Sequence, residues 1–135
     1  MANWILNNAE SATSIESFLA TETTSDVVSS ATYVTVGGMS LTPWEWKYFF
    51  AFSSSWSPSA AGTTRNIALF INGTIRQVTQ RQKIDPWFFG AGAYQLIENS
   101  GIIDIGAWEV VDIRAKAAAW TITFTEREFA LIKLQ

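Results

Sequence analysis

The stretch WKYFFAFSSSW at residues 46–56 alternates between two sets of side chains, and this alternation constrains the fold more than any other feature. In an extended strand successive side chains point to opposite faces, so positions two apart share a face. One face carries Trp46, Tyr48, Phe50, Phe52 and Trp56, and the other carries Lys47, Phe49, Ala51, Ser53 and Ser55. We therefore predict a long strand with one aromatic face.

Residues 69–76, LFINGTIR, predict a hairpin. Asn72-Gly73 lies between two alternating runs, RNIALFI and TIRQVTQR, and supplies the two positive φ angles that a type I′ turn requires. The Asn-Gly-Thr sequence also fits a glycosylation sequon, but the hairpin explains it without a secreted context.

Other strands follow from Thr32 onward. TYVTV ends at Gly37-Gly38, a turn signal, and YQLIENSGIIDI could hold a strand at each end. WEVVDIRAKAAAWTITFTE reads as a second hairpin that turns near residues 117–119. About eight short strands with regular turn signals predict an all-β protein, an antiparallel β-sandwich of the jelly-roll kind.

The N-terminal segment differs from this strand-rich body. Residues 1–25 are mostly polar, and the one candidate helix, Glu10 to Ala20, is rich in serine and threonine, which disfavour a stable helix. We predict a short N-terminal arm at residues 1–25, used for attachment, and a jelly-roll domain at residues 26–135. The start of the chain has no basic region and no long apolar stretch, so we expect synthesis in a cytoplasm.

Composition excludes several function classes. The chain has no cysteine and no histidine, which removes nearly every transition-metal site and the commonest general base. A net charge of −3 and a pI near 4.8 argue against nucleic acid as a partner, and no apolar run is long enough for a membrane span. We predict no cofactor and no enzymatic activity. Glu126 and Glu128 have the strand spacing of paired glycosidase carboxylates, but solvated strand residues explain them equally well.

Low charge indicates self-association. Only 16% of the residues are charged, whereas 48% are hydrophobic and seven are tryptophan. The last strand, EFALIKL, is apolar on both faces, which indicates a strand covered on both sides. We expect a subunit interface, with the following candidates: Tyr48, Phe50, Phe52, Phe129 and Leu131.

Three arginines lie within predicted strands, which is uncommon unless their charges are paired. We predict ion pairs that join Arg81, Arg114 and Arg127 to acidic partners, for which the candidates are Asp112, Glu109 and Glu126. Protection of a sheet edge by charge is the alternative explanation.

Two segments resemble a known family: ATYVTVGGMSLTPWEWKYFFAFSSSWSPSAAGTTRNIALFINGTIRQVTQR and WEVVDIRAKAAAWTITFTEREFALIKL. Over roughly residues 30–135 they resemble small jelly-roll proteins of tailed-bacteriophage virions, similar to the trimeric tumour-necrosis-factor-like fold. The resemblance implies a homotrimeric capsid decoration (cement) protein. Such a protein would sit on the outer capsid surface of the virion, bound to the major capsid protein.

Two aromatic or apolar groups are candidates for capsid contact. Trp4, Ile5 and Leu6 interrupt the polar arm, and Trp87, Phe88 and Phe89 cluster in an irregular stretch before Tyr94. The alternative function is a tail or fibre tip module that binds a host-surface glycan through the loop at residues 87–94, since loop aromatics also stack on sugar rings.

Overall fold

The computed structural model describes residues 16–60, 64–84 and 94–135. These parts contain ten strands and one short 3-10 helix at Gln77–Thr79. The strands are β1 Ser17–Glu22, β2 Asp26–Val28, β3 Val34–Leu41, β4 Trp46–Pro58, β5 Thr64–Ile71, β6 Thr74–Ile75, β7 Arg81–Ile84, β8 Gln95–Ile105, β9 Val111–Ala117 and β10 Ile122–Lys133.

The strands form two antiparallel sheets. The first sheet has the order β1-β10-β4-β8, and β2 also pairs with β10. The second sheet has the order β3-β9-β5-β6, and β7 also pairs with β5. Strands that are consecutive in sequence repeatedly fall in different sheets, so the chain winds around the sandwich as a jelly roll does. The predicted fold class is confirmed.

The core lies between the sheets and is filled by the alternate residues of each long strand. Strand β4 contributes Tyr48, Phe50, Phe52 and Trp56, all nearly inaccessible to solvent. The second sheet contributes mainly aliphatic residues, among them Ile67, Leu69, Val111 and Ile113. The predicted aromatic face of β4 is therefore its inward face.

This core corrects the predicted subunit interface. Tyr48, Phe50, Phe52, Phe129 and Leu131 are each at most 2% exposed within a single chain. Their burial needs no second subunit, because the opposing sheet already covers them. These five side chains belong to the core of a single chain, so the assignment of their side chains to a trimer interface is wrong. An interface that includes β4 or β10 would use the outward faces of these strands.

The predicted hairpin at residues 69–76 is present. Asn72 and Gly73 have φ angles of 50° and 79°, and Phe70 pairs with Ile75 on either side of the turn. The returning strand is shorter than expected, because the 3-10 helix separates β6 from β7 before the chain pairs with β5 again. The buried Thr79 hydroxyl stabilises this interruption, since it accepts from the Leu69 amide at 2.9 Å and donates to the Arg76 carbonyl at 2.6 Å.

Gly73→Val is expected to lower the free energy of unfolding by about 1 kcal/mol or more, because a β-branched residue disfavours the left-handed backbone. A Cβ at this position would meet only the Arg114 Nη2 atom at 4.0 Å, so the cost comes from the backbone and not from a clash. Chemical denaturation measures the change. Gly73→Asn is the matched control, since asparagine tolerates positive φ. Equal losses in both variants would contradict this explanation.

The second predicted hairpin is absent. Strand β9 belongs to the second sheet and β10 to the first, so residues 118–121 cross between sheets and do not turn back within one. Gly37-Gly38 is not a turn either, because both residues lie inside β3, where the pairing with β9 shifts register between Thr35 and Ser40. Residues 95–105 form a single strand instead of two.

The sandwich begins before the predicted boundary at residue 25. Residues 17–22 were predicted to lie in the arm, and some of them in a candidate helix. They form β1 and pair with β10 from Ser17↔Ile132 to Glu22↔Arg127. Phe18 packs edge-on against Tyr48, with ring centroids 6.1 Å apart. This part of the predicted arm is therefore a strand of the first sheet.

Candidate functional site

The outer face of the first sheet carries two adjacent rows of uncharged side chains, here called the apolar rows. The strand register aligns Ser17, Ile132, Phe49 and Ile102 in one row and Leu19, Ala130, Ala51 and Ser100 in the next. Ile102 is 64% exposed, and Leu19 is exposed to a similar extent. A band that is mostly aliphatic and aromatic, with one serine at the end of each row, thus crosses four strands without a charge, which is typical of a protein interface.

The face becomes acidic one row further on. Thr21, Glu128, Ser53 and Glu98 align there. The first three of them line a shallow groove of about 410 Å³, together with Glu22, Glu126 and Arg127. The Thr24 amide and hydroxyl, followed by the Thr23 amide, donate to the Glu22 carboxylate and lower its pKa. Among the described residues, no group of three or more acidic, histidine or cysteine side chains is placed to hold a metal ion.

The outer face of the second sheet is covered by its own side chains. Tyr33 packs edge-on against Phe70 with ring centroids 5.2 Å apart. The Arg114 guanidinium lies 4.6 Å from the centre of the Phe70 ring, and the Lys116 ammonium lies 4.7 Å from that of Tyr33. These cations shield the rings from water while remaining partly solvated. The outer faces of the two sheets therefore differ. Cationic side chains cover aromatic rings on the second sheet, whereas the apolar rows of the first sheet have no such cover.

One predicted ion pair is present. Arg114 Nε lies 2.7 Å from Asp112 Oδ2, and the Thr35 hydroxyl donates to the same oxygen at 2.6 Å. Asp112 is almost fully buried, so these two donors compensate the loss of its hydration.

The other ion-pair predictions are corrected. Arg127 donates to three main-chain carbonyls, those of Gly37, Thr24 and Phe124, at 3.1, 2.8 and 3.2 Å. Arg81 donates to the carbonyls of Val78 and Gln80. Glu109 accepts from the Gly106 amide at 2.7 Å, and Glu126 is exposed. Arg127 and Arg81 thus donate to main-chain carbonyls, a role that no local sequence pattern marks.

The capsid-contact candidates Trp4, Ile5, Leu6, Trp87, Phe88 and Phe89 lie outside the described residues. Of the neighbouring aromatics only Tyr94 is described, and it is exposed at the end of the sandwich where β8 begins. The members of the apolar rows were not among the predicted site residues. The sequence signal that could have identified them is the second face of β4. This face carries the apolar residues Phe49 and Ala51, although the opposite face already supplies the core aromatics.

In the described segments, no helix has the length and hydrophobicity needed to cross a bilayer.

Comparisons with known proteins identify the fold. No protein-family model and no curated protein matches the chain. Among solved structures, the VP2 subviral particle of infectious bursal disease virus matches with a TM-score of 0.62 and 11% identity over 88% of this chain and 33% of that chain. The chain thus spans about a third of the VP2 chain.

Two smaller proteins match over nearly their whole length. The Eiger tumour necrosis factor of S. frugiperda has a TM-score of 0.62 and 9% identity, over 88% of this chain and 93% of that chain. Murine APRIL has a TM-score of 0.55 and 13% identity, over 88% of this chain and all of that chain. At these identities the likeness shows a shared jelly-roll fold and nothing further.

Proposed function

We propose that this chain is a structural protein of a virion, and specifically a homotrimeric decoration protein that binds the outer capsid surface and reinforces the shell. The observation that carries the proposal is the pair of apolar rows on the outer face of the first sheet. An uncharged band across four strands is costly to expose and favourable to bury, at about 25 cal/mol for each Å² of apolar surface removed from water.

A closed ring of subunits hides such a surface without leaving open ends. A heterologous contact repeated around a three-fold axis covers the rows of every copy, whereas an unclosed repeat would grow into a fibre. The number of subunits, three, is inferred from the family resemblance. The apolar rows are the surface that such a trimer would bury.

The capsid role is supported by fold likeness. A jelly roll of this kind occurs in the VP2 subviral particle. Residues 30–135 resemble small jelly-roll proteins of tailed-bacteriophage virions, and this resemblance implies a decoration role. A trimer that bridges several copies of the major capsid protein binds the assembled shell and not its separated parts. Each bound copy therefore raises the free energy needed to open the shell.

Ile102→Asp is expected to convert the trimer to a monomer, because it places three charges in the buried band. Light scattering coupled to size exclusion should give close to three times the 15.0 kDa chain for the wild type and one chain mass for the variant. Val78→Asp is the matched control, since Val78 is also a highly exposed β-branched residue but lies in the 3-10 helix beside the second sheet. A folded wild-type monomer, or a trimeric Ile102→Asp variant, would contradict the proposed interface.

Capsid binding is tested with the same three proteins. Capsids of the parent virus, stripped of this chain, are mixed with each protein and sedimented. The wild type and Val78→Asp should rebind to the same occupancy, whereas the monomeric variant should bind far less because it loses the avidity of three linked contacts. Failure of the wild-type trimer to co-sediment would exclude the decoration role while leaving the trimer intact.

A further inference from the structure

The hairpin tip at Asn72-Gly73 carries a reactive pair of groups as well as a turn. An asparagine side chain can be attacked by the amide nitrogen of the next residue, and glycine has no side chain to shield that nitrogen. Asn72 and Gly73 are both exposed. A Cβ built on Gly73 would meet only the Arg114 Nη2 atom, at 4.0 Å, so the space around the nitrogen is open. Water and base therefore reach both reacting groups.

The tip is held by few interactions. The Asn72 main-chain amide donates to the Val110 carbonyl at 2.8 Å, but the Asn72 Oδ1 atom accepts from the Val110 amide only at 3.4 Å, which is long for a hydrogen bond. Strand β6 has two residues, so few pairings must break to open the tip. Closure of a ring between side chain and main chain requires rotation of the Asn72 backbone out of the turn conformation (φ 50°). We therefore expect the reaction to take place when the tip opens, while the sandwich stays folded.

Asn99-Ser100 is the contrasting pair in the same chain. Serine is also a small residue, so the local sequence marks Asn99 as reactive too. Asn99 is only 3% exposed, however, and its side-chain amide donates to the Thr79 carbonyl at 2.6 Å. It lies in the middle of β8 and pairs with Phe52 of β4. Rotation of the main chain at Asn99 therefore requires the first sheet to unfold, and the structure separates two asparagines that the sequence does not.

We propose that Asn72 is a modification site at which the folded protein deamidates spontaneously, whereas Asn99 is protected until the protein unfolds. The evidence is the exposure of Asn72 and Gly73, the two-residue strand that closes the hairpin, and the burial of Asn99 within β8. Water is the co-reactant, and no partner is needed. The inference is therefore independent of the proposed virion role.

The reaction has two steps. In the first, the Gly73 amide loses its proton to base and its nitrogen attacks the Asn72 Cγ atom. The bond between Cγ and Nδ2 breaks, and ammonia leaves with a proton that replaces the one lost, so that a succinimide ring remains. In the second, water adds to one of the two ring carbonyls. Cleavage between the ring nitrogen and Cγ gives aspartate, and cleavage between the ring nitrogen and the main-chain carbonyl carbon gives isoaspartate.

Both products change the surroundings of Arg114. Its Nε atom lies 2.7 Å from Asp112 Oδ2, and Asp112 is only 2% exposed. A new carboxylate at residue 72 adds a negative charge at the turn where Arg114 Nη2 lies, so it competes with Asp112 for the guanidinium. Isoaspartate also lengthens the main chain by one carbon, which a two-residue turn does not accommodate. We therefore expect the isoaspartate form to unfold at a lower denaturant concentration, whereas the aspartate form keeps the turn because aspartate tolerates positive φ.

The test incubates the intact protein in mildly alkaline buffer, with and without a denaturing concentration of guanidinium chloride. Peptide mapping by mass spectrometry then locates each asparagine that has become a carboxylate. In the folded protein we expect Asn72 to react about a hundredfold or more faster than Asn99, because Asn99 reacts only after global unfolding. In denaturant both asparagines should react. The wild-type protein alone gives this comparison, so the test does not depend on the folding of a variant.

Asn72→Gly is the matched control. It removes the reacting side chain, and glycine keeps the positive φ of the turn. Its unfolding midpoint should stay constant during the incubation, whereas that of the wild type should fall as isoaspartate accumulates. Conversion of Asn72 in denaturant but not in the folded protein would overturn the proposal, because the closed turn would then protect the side chain. Equal rates at Asn72 and Asn99 in the folded protein would overturn it as well.

Discussion

Arg127→Met is expected to destabilise the protein by about 3–5 kcal/mol, which is a large fraction of the stability of a domain of this size. Arg127 is 3% exposed and donates to three carbonyls from different parts of the chain, those of Thr24, Gly37 and Phe124. Methionine fills much of the same volume but leaves these oxygens without their donor, and a buried unsatisfied carbonyl costs more than the hydrogen bond contributes. The midpoint of urea denaturation measures the loss.

The control for this prediction is Arg81→Met. Arg81 also donates to two main-chain carbonyls, those of Val78 and Gln80, but it is exposed, so water replaces these hydrogen bonds when the guanidinium is removed. We expect little change in its unfolding midpoint. If the two variants unfold at the same denaturant concentration, the carbonyls around Arg127 do not depend on it.

Leu131→Asp and Ile132→Asp, one residue apart, are expected to fail in different ways. Leu131 is fully buried between the sheets, so an aspartate there places a charge in the core and should leave most of the protein unfolded, at a cost of about 4 kcal/mol or more. Ile132 points outward in the apolar rows, so its aspartate variant should fold as a monomer. Circular dichroism reports folding and light scattering reports the number of subunits.

This pair separates the two faces of β10 directly. If Ile132→Asp unfolds and Leu131→Asp remains a folded monomer, then Ile132 faces the core and Leu131 faces the subunit interface, which is the reverse of the assignment made here. If both variants stay trimeric, the first sheet does not form the interface.

Alternation predicted the strands but not the direction of their faces. On β4 the side chains of Tyr48, Phe50 and Phe52 fill the core, whereas Phe49 and Ala51 face outward, although Phe49 is the same residue type as two of the core aromatics. On β10 both faces are apolar, so period two alone cannot tell which face meets the opposing sheet. Which face of a strand points into the core depends on the volume between the two sheets. This volume is set by all ten described strands together and not by β4 or β10 alone.

Turns were predictable where the local sequence determines them. Asn72-Gly73 encodes its own backbone angles, and the hairpin is present. Gly37-Gly38 gives a similar local signal but lies inside β3, where the Gly37 amide donates to Asp26 at 2.6 Å and its carbonyl accepts from Arg127, 90 residues away. The crossover at residues 118–121 was wrongly predicted to be a hairpin because partners far away in the sequence determine the sheet to which a strand belongs.

The position of β10 has a consequence for biosynthesis. It is the last of the described strands along the chain, yet it lies inside the first sheet, between β1 and β4. While the protein is being translated, the thirteen-residue β4 therefore has one edge without its final neighbour until the ribosome has added residues 122–133. Most contacts join residues far apart in sequence, which predicts slow folding and an aggregation-prone nascent chain. We expect shortening from the C-terminus into β10 to abolish the fold as a whole, and expression of the chain to benefit from chaperones that protect exposed strand edges.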